Sequence, residues 1–196
     1  ILHFIFPEIK VVWQALSLGI LLVYIEFQFD LISRDALTSL NNRRAFNVKI
    51  SQLAESDILE KDSSLYIFMI DVNFFKQIND KYGHPEGDAA LVKTAEILKE
   101  VLGNSNAFLC RYGGDEFLLV VPNETLDVEH PLIEDLLTQI RSPIPLGDET
   151  ISITASIGIS NSDGITPPEQ HISNAENAMY EAKSQGKDGA FLYGEK

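Results

Sequence analysis

The spacing of apolar and polar positions changes several times along this chain, and each change marks an element. Residues 11–25, VVWQALSLGILLVYI, carry no charge and read as helix. Residues 44–54 form an amphipathic stretch. Residues 65–72, LYIFMIDV, are a short, aromatic-rich apolar run that predicts a buried central strand with Asp71 at its end. From 86 to 102, Leu91, Ala95, Leu98 and Leu102 recur at helical spacing, and Gly103 supplies the stop. Residues 107–112 and 116–121 read as two strands joined at Gly113 and Gly114, where glycine tolerates a positive φ. A helix over 131–140 and an alternating strand over 151–160 follow. In the final helix Thr166, Pro167 and Glu169 make a capping-box start. Its one apolar face holds Ile172, Ala175, Met179 and Ala182, and Gly186 ends it. Residues 191–193 add an edge strand. The order is β, α, β, β, α, β, so the predicted fold class is α+β, a ferredoxin-like βαββαβ palm with an extra C-terminal helix and edge strand, preceded by an N-terminal helix.

That topology has a chemical consequence. In a split βαβ sheet the first two strands are parallel, with the third inserted antiparallel between them. The end of the first strand, carrying Asp71, then lies beside the hairpin tip carrying Asp115 and Glu116. Taken singly, Asp71 is a loop cap and the GGDE segment an ordinary hairpin turn. Together they form an acidic cluster suited to Mg²⁺, a hard cation that takes oxygen ligands and often completes its shell with substrate phosphates.

Composition bounds the remaining choices. The 196 residues allow one catalytic domain plus an appendage, divided here as 1–34 and 35–196. The chain opens on isoleucine, which suggests a segment of something longer. A formal net charge of -14 repels a phosphate backbone and argues against nucleic-acid binding, so an anionic substrate needs a few local lysines or metal ions. The lone Cys110 lies in an apolar run and reads as a small core residue in a reducing compartment. For residues 1–34 two readings stay open: the end of a transmembrane helix or a soluble signalling helix that pairs with its twin. The uncharged run is shorter than the ~20 residues a span needs. Trp13 and Tyr24 suit membrane interfaces, and Arg34, Arg43, Arg44 and Lys49 follow, which favours a cytoplasmic catalytic domain anchored to the bacterial inner membrane.

Five blocks then carry a resemblance: RDALTSLNNRRAF at 34–46, DVNFFKQINDKYGHPEGD at 71–88, RYGGDEF at 111–117, SIGIS at 156–160 and AENAMYEAKSQGKDG at 175–189. In order and content they resemble the GGDEF family of diguanylate cyclases. The resemblance implies two GTP substrates, cyclic di-GMP as product, Mg²⁺ or Mn²⁺ with two ions per half-site, and a homodimer whose loaded subunits face each other. It implies Asp71, Asp115, Glu116 and the Val72 carbonyl at the metals, with Asp115, Glu116 and Lys76 catalytic. Asn79 and Asp88 become the guanine readers, consistent with a carboxylate accepting from the N1 and N2 hydrogens of guanine. The phosphates fall to the backbone around Phe74 and Phe75, to Gly113 and Gly114, and to Lys76, Lys183 and Lys187. A degenerate, non-catalytic sensor of GTP or cyclic di-GMP is the alternative, although the metal and GGDEF motifs are undamaged.

Some positions depart from the family pattern. Asn73 stands for a frequent aspartate, Glu176 for an aspartate, and Lys187 with Asp188 for the usual Arg and Asn. The inhibitory Arg and Asp pair that the family often carries is replaced by Asn104 and Ala107, so feedback inhibition through that segment is not expected. Asn41 and Arg43 are expected to organise the start of the domain, and His84 to make a loop-fixing hydrogen bond rather than act in catalysis.

Overall fold

The computed structural model describes residues 7–55, 65–122, 130–146, 149–162 and 167–194. The chain separates into two units, residues 1–34 and 35–196. In the first, helix α1 (Pro7–Ser33) shows apolar residues on every side, with Val12, Trp13, Leu16, Leu18, Ile20, Leu22 and Val23 all more than half exposed. No helix among the described residues is long and apolar enough to cross a membrane, so the expected span is not found there.

The second unit is built on a six-stranded sheet of order β1-β3-β4-β2-β7-β8. Its strands are β1 (Asn41–Asn42), β2 (Leu65–Val72), β3 (Phe108–Arg111), β4 (Glu116–Pro122), β7 (Ala155–Ser162) and β8 (Gly189–Leu192). Strand β4 is antiparallel to both β2 and β3, so β2 and β3 run parallel with β4 between them. Every residue of β2 is buried, because helices cover both faces of the sheet. Side chains of a strand alternate between faces. Phe68, Ile70 and Val72 join Leu91, Leu98, Ile133 and Leu136 from α4 (His84–Leu102) and α5 (Pro131–Ile140). Ile67 and Met69 join Phe46, Ile50, Ala175 and Met179 from α2 (Arg43–Glu55) and α6 (Pro168–Ser184). Asp71 shares the parity of Met69 and therefore faces α6.

The expected core is present, with three corrections. Helix α3 (Phe75–Tyr82) occupies a stretch read only as motif. The strand expected over 151–160 is β7, shifted to Ala155–Ser162. Ahead of it lies a small separate hairpin, β5 (Ile144–Leu146) with β6 (Glu149–Ile151). The capping-box start expected at Thr166 lies outside the described residues; the described N-cap of α6 is Pro167, which makes no side-chain cap bond. His84, expected to fix a loop, is exposed in the first turn of α4, and its side chain makes no hydrogen bond among the described residues.

Candidate active site

The register of β2 against β4 sets Asp71 directly opposite Glu116. The Val72 amide donates to the Asp115 carbonyl at 3.1 Å, which fastens the next residue of the tip to the same strand end. The tip closes through the Tyr112 and Gly113 amides, which donate to the Glu116 carbonyl at 2.8 and 3.2 Å. A Cβ on Gly113 would collide with the Glu116 carboxylate, so the glycine is what lets that side chain lie against the turn. Gly114 faces open space.

Arg111 braces this tip. Its Nη2 and Nε donate to the Gly114 carbonyl at 2.7 and 3.1 Å, and its Nη1 donates to both Asp35 oxygens at 3.1 and 3.3 Å. Asp35 in turn accepts from the Thr38 amide and hydroxyl, each at 2.8 Å. Burial pushes the Asp35 carboxyl up, but Thr38 and Arg111 outweigh it and hold it below its ordinary value. Asn41 Nδ2 donates to the Leu109 carbonyl at 2.9 Å, and the Arg43 guanidinium lies 4.5 Å from the centroid of the Tyr112 ring. These contacts tie the start of the second unit to the strands flanking the tip.

Four carboxylates and an ammonium meet at the strand ends. Asp71 is only 8% exposed, and Lys183 Nζ from α6 lies 2.8 Å from its Oδ2. Burial raises the Asp71 pKa, Lys183 opposes that shift, and Asp115 adds to it. Glu116 is raised by burial and then by Asp71, Asp115 and Glu176, with Lys183 countering. The negative charge there exceeds what one ammonium balances. Among the described residues no group of three or more His, Cys, Asp or Glu side chains is gathered closely enough to hold a metal ion. The expected trio of Asp71, Asp115 and Glu116 is thus adjacent without forming a closed cage, and Lys183 holds the cation position at Asp71. The donor chemistry still fits a hard divalent ion, which commonly takes one or two carboxylates and leaves its other positions to water and phosphate.

Around this centre, Asn73 is buried and bonded at both side-chain ends: its Nδ2 donates to Thr154 Oγ1 at 3.0 Å and its Oδ1 accepts from Ser156 Oγ at 2.8 Å. Phe74, at the N-cap of α3, has φ 60 and exposes its ring, and Lys187 Nζ sits 3.9 Å from that ring's centroid. Phe75 is half-buried against the core, whereas Lys76 is exposed. Lys183, not Lys76, is the lysine paired with Asp71.

Asn79, on α3, carries a buried Oδ1 with no hydrogen-bond partner. It rests on Gly87 of α4, where any Cβ would overlap the Asn79 amide, and Asp88 follows, exposed. An orphaned acceptor beside an exposed carboxylate can read a donor-bearing edge of a planar base. Asp35 and Arg111 lie in the resembling blocks with no role assigned by the sequence, and Arg141 lies outside them. A basic residue two positions before a glycine turn is the available signal for Arg111. Nothing local points to its partner 76 positions away.

The model of the diguanylate cyclase GGDEF domain matches residues 32–189. This chain belongs to the GGDEF family. Among curated relatives it is 36% identical over 162 residues to the cyclic di-GMP phosphodiesterase NbdA of Pseudomonas aeruginosa, covering 81% of this chain and 20% of that protein. It is 34% identical over 167 residues to the diguanylate cyclase DgcP of the same organism, covering 84% of this chain and 24% of that one. The chain therefore spans a fifth to a quarter of the length of these two relatives. Among solved structures, the diguanylate cyclase SiaD of Pseudomonas aeruginosa, crystallised with its activator SiaC, is similar with a TM-score of 0.80 at 29% identity. That match covers 95% of this chain and 71% of SiaD. The GGDEF fold of this chain is thus shared with proteins named for making cyclic di-GMP and with one named for degrading it.

Proposed function

We propose that this chain is a diguanylate cyclase that condenses two GTP into cyclic di-GMP and releases two pyrophosphates. The observation that carries the reading is the register that sets Asp71 opposite Glu116 at the tip of an intact GGDEF hairpin. Asp71, Asp115, Glu116 and the Val72 carbonyl would hold Mg²⁺ or Mn²⁺, two ions per half-site, which would supply charge neutralisation on the triphosphate and activation of the 3′-hydroxyl. With the metals bound, Lys183 would be released from Asp71 to a phosphate oxygen, joined by Lys187, Lys76, the backbone at Phe74 and Phe75, and the Gly113–Gly114 turn. Asn79 Oδ1 and the Asp88 carboxylate accept from guanine N2 and N1, which excludes adenine because its N1 carries a lone pair instead of a hydrogen.

The 3′-oxygen of one GTP attacks the α-phosphorus of the other, the bond to the β-phosphate breaks, and pyrophosphate departs; the reciprocal attack closes the ring. One chain contributes one half-site, so a homodimer is required. Incubating the purified dimer with Mg²⁺ and GTP should yield cyclic di-GMP. A verified dimer that binds GTP without turnover would instead identify a non-catalytic sensor.

A further inference from the structure

Residues 186–188 form an unusual bend. Gly186, Lys187 and Asp188 all have positive φ, at 118, 65 and 53, and the last two carry side chains that disfavour that region. Such a bend persists only where its surroundings impose it. The Lys187 amide donates to the Ala182 carbonyl at 3.1 Å, which anchors one side. Arg141, at the C-cap of α5, anchors the other: its Nε lies 3.0 and 2.9 Å from the two Asp188 carboxylate oxygens, and its Nη2 donates to the Asp188 carbonyl at 3.3 Å.

A guanidinium that grips both the carboxylate and the backbone of one residue fixes that residue's orientation as well as its charge, which an ammonium cannot do. The residue before it, Lys187, is the one whose Nζ stacks 3.9 Å from the Phe74 ring centroid, three positions after Asp71.

We propose that Arg141 is a positioning residue for triphosphate binding: by clamping the Lys187–Asp188 bend it holds the Lys187 ammonium against Phe74, at the end of β2. The ion pair itself is half-exposed and contributes little to global stability. Its effect is directed at one side chain. The inference rests on the reading that GTP binds at this site.

The test combines a signature that needs no ligand with a binding measurement. In the full chain, the Lys187 ε-methylene protons should show an upfield ring-current shift from Phe74, and Arg141→Gln should abolish it. GTP affinity in Mg²⁺ should fall several-fold in Arg141→Gln, GMP affinity should not change, and Arg141→Gln should cost nothing further in a Lys187→Gln background. Arg141→Lys, which keeps the charge but loses the fork, should fall between wild type and Arg141→Gln. An upfield shift that survives Arg141→Gln overturns the proposal. So does unchanged GTP affinity in a variant that has lost the shift, or an effect of equal size in the Lys187→Gln background, which would mark a general structural role. A wild-type chain that shows the shift but binds no GTP defeats the functional reading first, and this inference with it.

Discussion

Glu116 stands among the carboxylates of Asp71, Asp115 and Glu176, with Lys183 opposing them. Burial first, and then these neighbours, raise its pKa, so its ionised form is disfavoured by folding and subtracts stability above the unfolded value. That penalty is relieved as the pH falls through the raised folded value. Metal-free Glu116→Gln should therefore melt higher than wild type at pH 7, with the gap closing on acidification. Cyclic di-GMP formation by the same variant should drop by at least about 100-fold, because Glu116 is proposed to hold the metals, and losing one stabiliser of transition-state charge typically costs that much. A variant that melts below wild type would contradict this account. Asp35 has the opposite sign. Its lowered pKa adds stability that is present above the unfolded value of ~3.9 and lost as the pH falls through the folded one. Arg111→Ala leaves Asp35 and the Gly114 carbonyl without that partner, and urea melts should show a loss of about 1–3 kcal/mol, with turnover falling as the tip loses its brace.

Two glycines act at the level of packed elements, and they predict different failures. Gly158 lets α6 approach β7 so closely that a Cβ there would overlap the Ala175 carbonyl and the Met179 amide and lie 2.7 Å from Met179 Cα. Those are backbone atoms and cannot swing aside. Gly158→Ala should cost more than about 2 kcal/mol by overpacking, measured by thermal or chemical melts. Gly87→Ala meets a side chain instead, and Asn79 can rotate away. The fold should survive, while GTP binding weakens and discrimination against ATP narrows; unchanged selectivity would count against Asn79 as a base reader. Helix α3 was legible after all, since Phe75, Ile78 and Tyr82 recur at helical spacing and pack on the core. It was passed over because the same residues read as a functional motif. The β5–β6 hairpin gave less to read, its strands being three residues each.

At the scale of the whole molecule, a net charge of -14 and a site that gathers further carboxylates leave anionic substrate to a few lysines. Lys183 and Lys187 reach the strand ends from the end of α6 and the bend after it, so the last helix delivers the cations while β2 and β4 deliver the acids. If each chain supplies half of the reacting pair, specific activity should rise with protein concentration until the dimer saturates; a flat profile over a range in which the dimer dissociates would exclude the shared site. Helix α1, with apolar residues exposed on all sides, is a separate unit.

The sequence by itself determined the order of the main strands and helices, because apolar period and glycine turns are local properties that short-range sterics and burial enforce. It also determined the acidic pair: once β2 and β4 are adjacent in a split βαβ sheet, Asp71 and Glu116 must meet. Only the tertiary structure decided which cation answers them. Arg111 finds Asp35, Lys183 finds Asp71 and Arg141 finds Asp188 through strand parity, the close seating of α6 on Gly158 and a left-handed bend. Each of these pairings depends on the packing of elements distant in sequence, and no periodicity along the chain encodes it.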